Sequence, residues 1–324
     1  MALLRRIIGS RLVRYGFVVV TVGLGSYAVV KDWHSIGPAL GRIGLPISLA
    51  SVAITLLALI ASMWTWRVLL AGLGSPLSFG VAARVMFVGQ LGKYLPGSVW
   101  PVLAQMELAT EHGVPRSRTA TASLLNMPVS ILSALLAALV TLPFTGGSTG
   151  YLWFIAAAPV LLACLHPRVL NYLIGRMFKL AKRPPLEQPL TGRVIAISAG
   201  WSFLSWLLYG AALWLLAIRV GVPAGTGYPL SVGAFALGFA IGFVIILAPA
   251  GAGIREVVMV AILSHPVGIL ATTVGAVVLV WRAVTILGDL IVAGAALCWP
   301  GGRPRPTTAP PADVPAGASS GREG

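Results

Sequence analysis

Long apolar stretches separated by short polar ones form the dominant pattern of the chain. A helix needs about 20 apolar residues to cross the hydrocarbon core of a bilayer, so these stretches predict a polytopic helical membrane protein. The predicted full spans are Tyr15–Val30, Pro46–Trp66, Thr119–Leu142, Tyr151–Leu165, Val194–Ile218 and Val267–Trp299. The segments Lys31–Leu45 and Arg219–Pro229 are predicted as an external loop and a turn. The fold class is therefore all-α, with about six full spans.

Two further apolar stretches, Val81–Ala109 and Leu230–Leu263, are interrupted by helix-breaking residues. We predict that each enters the membrane, breaks and returns on the side from which it came. The breaks are placed at Pro96, Gly97, Pro249, Gly251 and Gly253. Non-helical backbone at that depth must be buried in protein or line a wet cavity, because lipid cannot satisfy its amides.

The distribution of basic residues supports this topology. Loops rich in Lys and Arg face the cytoplasm, and the re-entrant interpretation of Val81–Ala109 places every basic cluster there, together with both termini. The alternative is that Val81–Ala109 crosses and Tyr151–Leu165 does not, which restores the same parity. The re-entrant interpretation makes the two halves of the chain match in inverted orientation. Inverted repeats with discontinuous helices are a recurrent plan in transporters.

The composition agrees with a membrane domain over residues 1–300. Apolar residues make up 57% of the chain, charged residues 10%, and mean hydropathy is +0.92. Soluble domains carry about 25% charged residues, so a soluble enzyme is excluded. The net charge of +15 lies in clusters between apolar runs and does not indicate a nucleic-acid partner. No metal or cofactor site is predicted. Residues 301–324, rich in Pro, Ala and Gly, are predicted as a disordered cytoplasmic tail.

Two motifs border the predicted breaks. Residues 92–100, GKYLPGSVW, are similar to a K-x-x-P-G-x-x-W motif, and residues 249–256, PAGAGIRE, resemble a P-x-G-x-G-x-R-E motif. In this order the pair resembles the lysylphosphatidylglycerol synthase transmembrane family, whose members are flippase-like integral membrane proteins. The resemblance implies lipid translocation. It also implies translocation without lipid synthesis, because the short stretch after Pro300 leaves no room for the family's cytoplasmic aminoacyltransferase domain.

Three basic residues stand in apolar segments, where each ionisable group costs about 2.5–3.5 kcal/mol and needs a partner or a purpose. Lys93, Arg255 and Arg282 are the candidate contacts for an anionic headgroup. The alternatives are a snorkelling lysine for Lys93 and an internal pair with Glu256 for Arg255. Arg282 and Asp289 lie seven residues apart, so each is expected to find its partner elsewhere. Glu256, Asp289 and Gln90 are the predicted supporting residues.

The resulting prediction is a multi-pass cell-membrane protein that translocates a lipid and is not an enzyme. Its substrate would be an anionic or aminoacylated phospholipid, or a related lipid-linked headgroup. Two alternatives stay open: an ion-coupled transporter of a small anionic solute, and a non-catalytic membrane partner of an envelope-lipid synthesis enzyme. A separately encoded headgroup-modifying enzyme is the predicted protein partner.

Overall fold

The computed structural model describes residues 30, 33–95, 99–145, 190–244, 253–264 and 268–299, and scattered positions between 159 and 176. Throughout these residues the regular secondary structure is helical, and no strand occurs among them. Five of the described helices are long and apolar enough to cross a membrane. The predicted all-α polytopic membrane class is therefore confirmed.

We number the helices in chain order and treat the two broken segments as hairpins. The helices are α1 (Trp33–Ile43), α2 (Leu45–Gly72), α3 (Phe79–Ala83), α4 (Trp100–Thr110), α5 (Arg116–Thr141), α6 (Gly192–Ala217), α7 (Ala224–Val244), α8 (Ile254–Ser264) and α9 (Ala271–Cys298). Hairpin 1 comprises residues 79–110, from α3 to α4. Hairpin 2 comprises residues 224–264, from α7 to α8.

Hairpin 1 reverses direction between two tightly packed limbs. After α3 the chain passes through a π-helical turn, Arg84–Val88, and a 3-10 turn, Leu91–Tyr94, before α4 returns. A Cβ at Gly89 would lie 2.5 Å from Cγ of Gln105 on the returning limb and 3.2 Å from its backbone nitrogen. Only glycine permits this approach. The predicted breaks Pro96 and Gly97 lie outside the described residues.

Hairpin 2 also folds back on itself. A Cβ at Gly238 on α7 would lie 3.1 Å from the carbonyl oxygen of Arg255 and 3.2 Å from Cγ of Met259, both on α8. The predicted breaks Pro249 and Gly251 lie outside the described residues, whereas Gly253 has a φ of +96°. The first limb, α7, is by length and composition one of the five described helices that could cross a membrane.

Two predicted connections contain helix instead. The segment predicted as a loop at Lys31–Leu45 holds α1, whose Ala39 and Ile43 are buried and which packs against α9. Nε of Arg219 donates to the carbonyl oxygen of Ile43 over 3.2 Å, which satisfies a helix-terminal acceptor. The predicted turn at Arg219–Pro229 already contains the first residues of α7, because packing against α5 and α6 outweighs the local signal of Pro229.

The two halves of the chain pack reciprocally. α2 packs extensively along α6, its counterpart in the second half. Hairpin 1 rests on α9 of the second half through its π-helical turn, and hairpin 2 rests on α5 of the first half through α7. Such exchange between equivalent elements is what a two-fold repeat produces. The opposite orientation of the halves across the membrane stays a prediction. The spans at Tyr15–Val30 and Tyr151–Leu165 and the tail at 301–324 also stay predictions, because they lie wholly or mostly outside the described residues.

Candidate functional site

The tip of hairpin 1 carries a lysine and a tyrosine that meet one carboxylate of α9. Lys93 and Tyr94 end the 3-10 turn. Nζ of Lys93 lies 2.6 Å from Oδ2 of Asp289, and the hydroxyl of Tyr94 donates to the same oxygen over 2.6 Å. The Asp289 side chain is only 8% exposed. A buried carboxylate needs compensation of this kind, because removing a charge from water costs several kcal/mol.

A buried polar chain fixes hairpin 1 to its neighbours. Nε1 of Trp66 donates to Oγ of Ser123 over 3.0 Å, and that hydroxyl donates to Oε1 of Gln105 over 2.5 Å. Nε2 of Gln105 then contacts Sδ of Met86 in the π-helical turn at 3.3 Å. Gln90, the predicted supporting residue, contacts Met86 within its own limb at 3.9 Å and is not joined to the ionic residues. In the described residues Gln105 makes the link between elements instead.

Glu256 organises the tip of hairpin 2. It occupies the third position of α8, and its Oε2 accepts the backbone N–H of Gly253, the residue preceding the helix, over 2.7 Å. This is the reciprocal arm of a capping box. Its Oε1 lies 3.2 Å from Nη2 of Arg255 and 3.6 Å from Nη1 of Arg282. One carboxylate therefore begins the helix and holds two guanidinium groups.

Side chains near the tips of both hairpins contact α9. Arg282 and Asp289 are seven residues apart on this helix, which places them on one face about 10 Å apart along the axis. They are not each other's partners: Asp289 binds the tip of hairpin 1, and Arg282 binds the tip of hairpin 2. The Arg255 guanidinium also lies 5.4 Å from the centroid of the Trp281 ring, beside Arg282. We call these five ionisable side chains the ionic site: Lys93, Arg255, Glu256, Arg282 and Asp289.

The ionic site has one more positive than negative charge. In each of its ion pairs the base is the more exposed member. Lys93, Arg255 and Arg282 are 34, 19 and 27% exposed, against 8% for Asp289 and 13% for Glu256. An anion approaching the site therefore meets the cationic groups first, and these keep hydrogen-bond donors to offer.

An aromatic cluster adjoins the site. The indole rings of Trp206 and Trp281 both contact the ring of Phe235, with centroid distances of 5.4 and 4.5 Å, and both lie beside Tyr209 at 6.2 and 6.5 Å. Both indoles are buried, and neither Nε1 has a hydrogen-bond acceptor among the described residues. The same is true of the buried Nε of Arg255.

The sequence predicted the cations of this site but not its aromatic members. Tyr94 lies inside the first motif, yet only the fold shows that its hydroxyl reaches α9. Trp281 directly precedes Arg282 in the sequence. This position next to an arginine in an apolar segment is the signal that could have identified Trp281 as a member of the site. Within the described part of the chain, no cluster of three or more His, Cys, Asp or Glu side chains could hold a metal ion.

Comparison with known proteins identifies the family. None of the curated proteins compared with this chain matches it. A family model described as the lysylphosphatidylglycerol synthase TM region matches residues 13–293, which include both hairpins, most of α9 and the whole ionic site. The match covers most of the 324 residues and agrees with the resemblance carried by the two motifs. The chain therefore belongs to the lysylphosphatidylglycerol synthase TM-region family of membrane proteins.

Proposed function

We propose that the protein translocates a membrane lipid and that the ionic site receives its headgroup. The headgroup would be an anionic or aminoacylated phosphate ester. The observation that carries the proposal is the meeting of two hairpin tips, one from each half of the chain, at a net positive site on α9. In transporters with inverted repeats, substrate sites form near the midplane where discontinuous helices meet.

The two ion-pair groups suggest how a headgroup is received. A phosphate oxygen competes with Glu256 for Arg255 and Arg282, and a guanidinium can bind phosphate through two parallel hydrogen bonds. At the other tip, Lys93 exchanges Asp289 for the same phosphate. Each exchange replaces one anion by another around the same cations, while the displaced carboxylates keep hydrogen bonds from the Tyr94 hydroxyl and the Gly253 N–H.

The energy source in this proposal is the lipid gradient or an ion gradient. The sequence contains no G-x-x-x-x-G-K-[ST] nucleotide-binding motif. We place the protein in the cell membrane with both termini in the cytoplasm, on the positive-inside distribution of its basic residues. A separate headgroup-modifying enzyme would act on the lipid before or after translocation.

Reconstitution tests the proposal. Liposomes containing the protein and a fluorescent phosphatidylglycerol are treated with a membrane-impermeant quencher, which reports lipid that has changed leaflet. Without translocation the quencher reaches only the label in the outer leaflet, so we expect the protein to raise quenching above half of the total label. We also expect a much lower translocation rate in Lys93→Ala, Arg255→Ala and Arg282→Ala. The matched control is Arg42→Ala, because Arg42 is exposed at the end of α1 and outside both hairpins. Equal rates in all four variants would exclude the ionic site.

The competing function is transport of a small soluble anion by the same residues. It is favoured by the same excess of positive charge and needs no opening toward lipid. Uptake of radiolabelled glycerol phosphate into lipid-matched proteoliposomes distinguishes the two. Uptake without lipid translocation would favour the soluble anion and contradict the proposal.

A further inference from the structure

We infer that the lipid headgroup received by the ionic site is an unmodified anionic phosphate ester and not an aminoacylated, ammonium-bearing one. This inference rests on the proposed function and specifies its substrate. It follows from counting which hydrogen-bonding groups of the site are already engaged and which are left for a ligand. A cationic headgroup needs acceptors, whereas a phosphate needs donors.

The acceptors of the site are engaged. Both oxygens of Glu256 have contacts: Oε2 with the Gly253 backbone, and Oε1 with Arg255 and Arg282. Oδ2 of Asp289 receives both Lys93 and Tyr94. Oδ1 of Asp289 is the one carboxylate oxygen of the site without a described contact, and it belongs to a group whose charge Lys93 already balances. The site has one net positive charge, which a phosphate ester neutralises, whereas a lysyl ester with one phosphate and two ammonium groups would raise the net charge to +2.

The donors are in surplus. Nε of Arg255 and Nε1 of Trp281 are buried without an acceptor among the described residues, and the guanidinium lies over that same indole ring. Nε1 of Trp206, across the shared contact with Phe235, is the third such donor. Buried donors in proteins are nearly always paired, so three unpaired ones in one neighbourhood point to a missing acceptor. An ester-linked phosphate supplies acceptor oxygens without adding a positive charge.

The composition of the membrane segments supports the same conclusion. The chain has eight acidic residues in total, and Glu256 and Asp289 are the two that lie in the membrane-embedded part of the second half. In hairpin 1, Glu107 lies near the end of α4 and binds Arg116 at 2.6 Å, and Glu111 follows directly after that helix. The carboxylates of the ionic site are therefore Glu256 and Asp289 alone, and both are already bound to basic residues.

A competition between lipids tests the inference on the intact protein. Proteoliposomes carry fluorescent phosphatidylglycerol, or lysyl-phosphatidylglycerol with the same acyl chains, and translocation rates are compared. In parallel, native mass spectrometry measures which of the two unlabelled lipids the purified protein retains. We expect phosphatidylglycerol to be preferred in both by at least about tenfold, because an uncompensated ammonium in the bilayer interior exceeds one tenfold step in free energy.

The two readouts separate failure of the inference from failure of the proposed function. Equal or preferred handling of the lysyl lipid in either readout overturns the inference, although translocation itself would stand. Preferential retention of phosphatidylglycerol without translocation supports the headgroup assignment and contradicts the translocator proposal. If the protein retains neither lipid but soluble glycerol phosphate stabilises it against unfolding, the ligand is a soluble phosphate ester. That outcome overturns the assignment of a lipid headgroup, although the site would still bind phosphate.

Replacing single tryptophans tests whether their unpaired N–H donors bind the phosphate. Trp281→Phe and Trp206→Phe keep an aromatic ring and remove one N–H each, and we expect each to weaken retention of phosphatidylglycerol by about fivefold. The matched control is Trp214→Phe. Its Nε1 is also buried without a described acceptor, but the ring packs on Tyr228, away from the ionic site. If all three variants retain the lipid as the parent protein does, bound water satisfies the indoles and the donor argument falls.

Discussion

The hydroxyl of Tyr94 donates to Oδ2 of Asp289 over 2.6 Å, although 195 residues separate the two in the chain. The same oxygen binds Lys93. One buried carboxylate in the second half of the protein thus holds the tip of a hairpin from the first half. We expect this contact to stabilise the fold as well as to prepare a binding site.

Removal of the Asp289 charge should loosen hairpin 1. Asp289→Asn keeps an acceptor for Tyr94 but leaves Lys93 without its counter-charge, and we expect a loss of about 1–3 kcal/mol. Thermal unfolding in detergent measures it. Lys93→Met alone should cost a similar amount. The double variant Asp289→Asn/Lys93→Met should lose less stability than the sum of the two single losses, because removing both charges leaves no buried charge without a partner. Strict additivity would show that the pair is not coupled.

Substitutions at Glu256 should separate its two roles. Glu256→Gln keeps a group that can accept the Gly253 N–H, whereas Glu256→Ala also removes the cap, so we expect the alanine variant to be less stable by about 1 kcal/mol more. Both variants release Arg255 and Arg282 from their shared carboxylate. We therefore expect added phosphatidylglycerol to raise the melting temperature more in Glu256→Gln than in the parent protein. A smaller rise would contradict the proposed competition between Glu256 and phosphate.

The left-handed backbone at Gly253 gives a test of hairpin 2. Gly253 has a φ of +96°, and a Cβ there would meet nothing within 4 Å, so Gly253→Ala introduces backbone strain without a steric clash. We expect a loss of about 1–2 kcal/mol in unfolding free energy. Gly41→Ala is the control, because a Cβ on this helical glycine also meets nothing, and helix propensity favours alanine. Equal effects of the two substitutions would argue against a left-handed break.

Close packing at Gly89 gives a test of hairpin 1. Gly89→Ala would place a Cβ 2.5 Å from Cγ and 3.2 Å from the backbone nitrogen of Gln105, so the limbs must separate. We expect a loss of about 1–3 kcal/mol and slower lipid translocation, because the tip that carries Lys93 moves. Gly200→Ala on α6, where the added Cβ has no neighbour, should leave both quantities unchanged. Unchanged translocation in a destabilised Gly89→Ala protein would show that the tip position is not limiting.

Periodicity and charge predicted most of the architecture. The apolar runs behind α2, α5, α6 and α9 are long enough to be recognised from the sequence, and the charge of the loops favoured a break in the segment that holds Lys93. The helix α1 was missed because it is short and lies in a segment with polar residues at its start. Its burial against α9 is a tertiary effect that local sequence does not reveal.

The ionic site was predicted only in part, for a similar reason. Charged residues are rare in apolar membrane segments, so Lys93, Arg255 and Arg282 could each be recognised from the sequence alone. Which acid each base meets depends on how the two hairpins reach α9, and this is a property of the packed halves. Gln90 was predicted as a supporting residue and Gln105 was not considered, yet Gln105 accepts the hydrogen bond of the buried Ser123 hydroxyl.

The placement of Arg282 and Asp289 on one helix has a mechanical consequence. A helix is stiff over two turns, so a sliding or rotation of α9 that draws Arg282 away from hairpin 2 must also shift the carboxylate that anchors hairpin 1. The tips of the two hairpins are therefore mechanically coupled through one helix. We expect a ligand that draws Arg282 away from Glu256 also to change the geometry of the contact between Lys93 and Asp289.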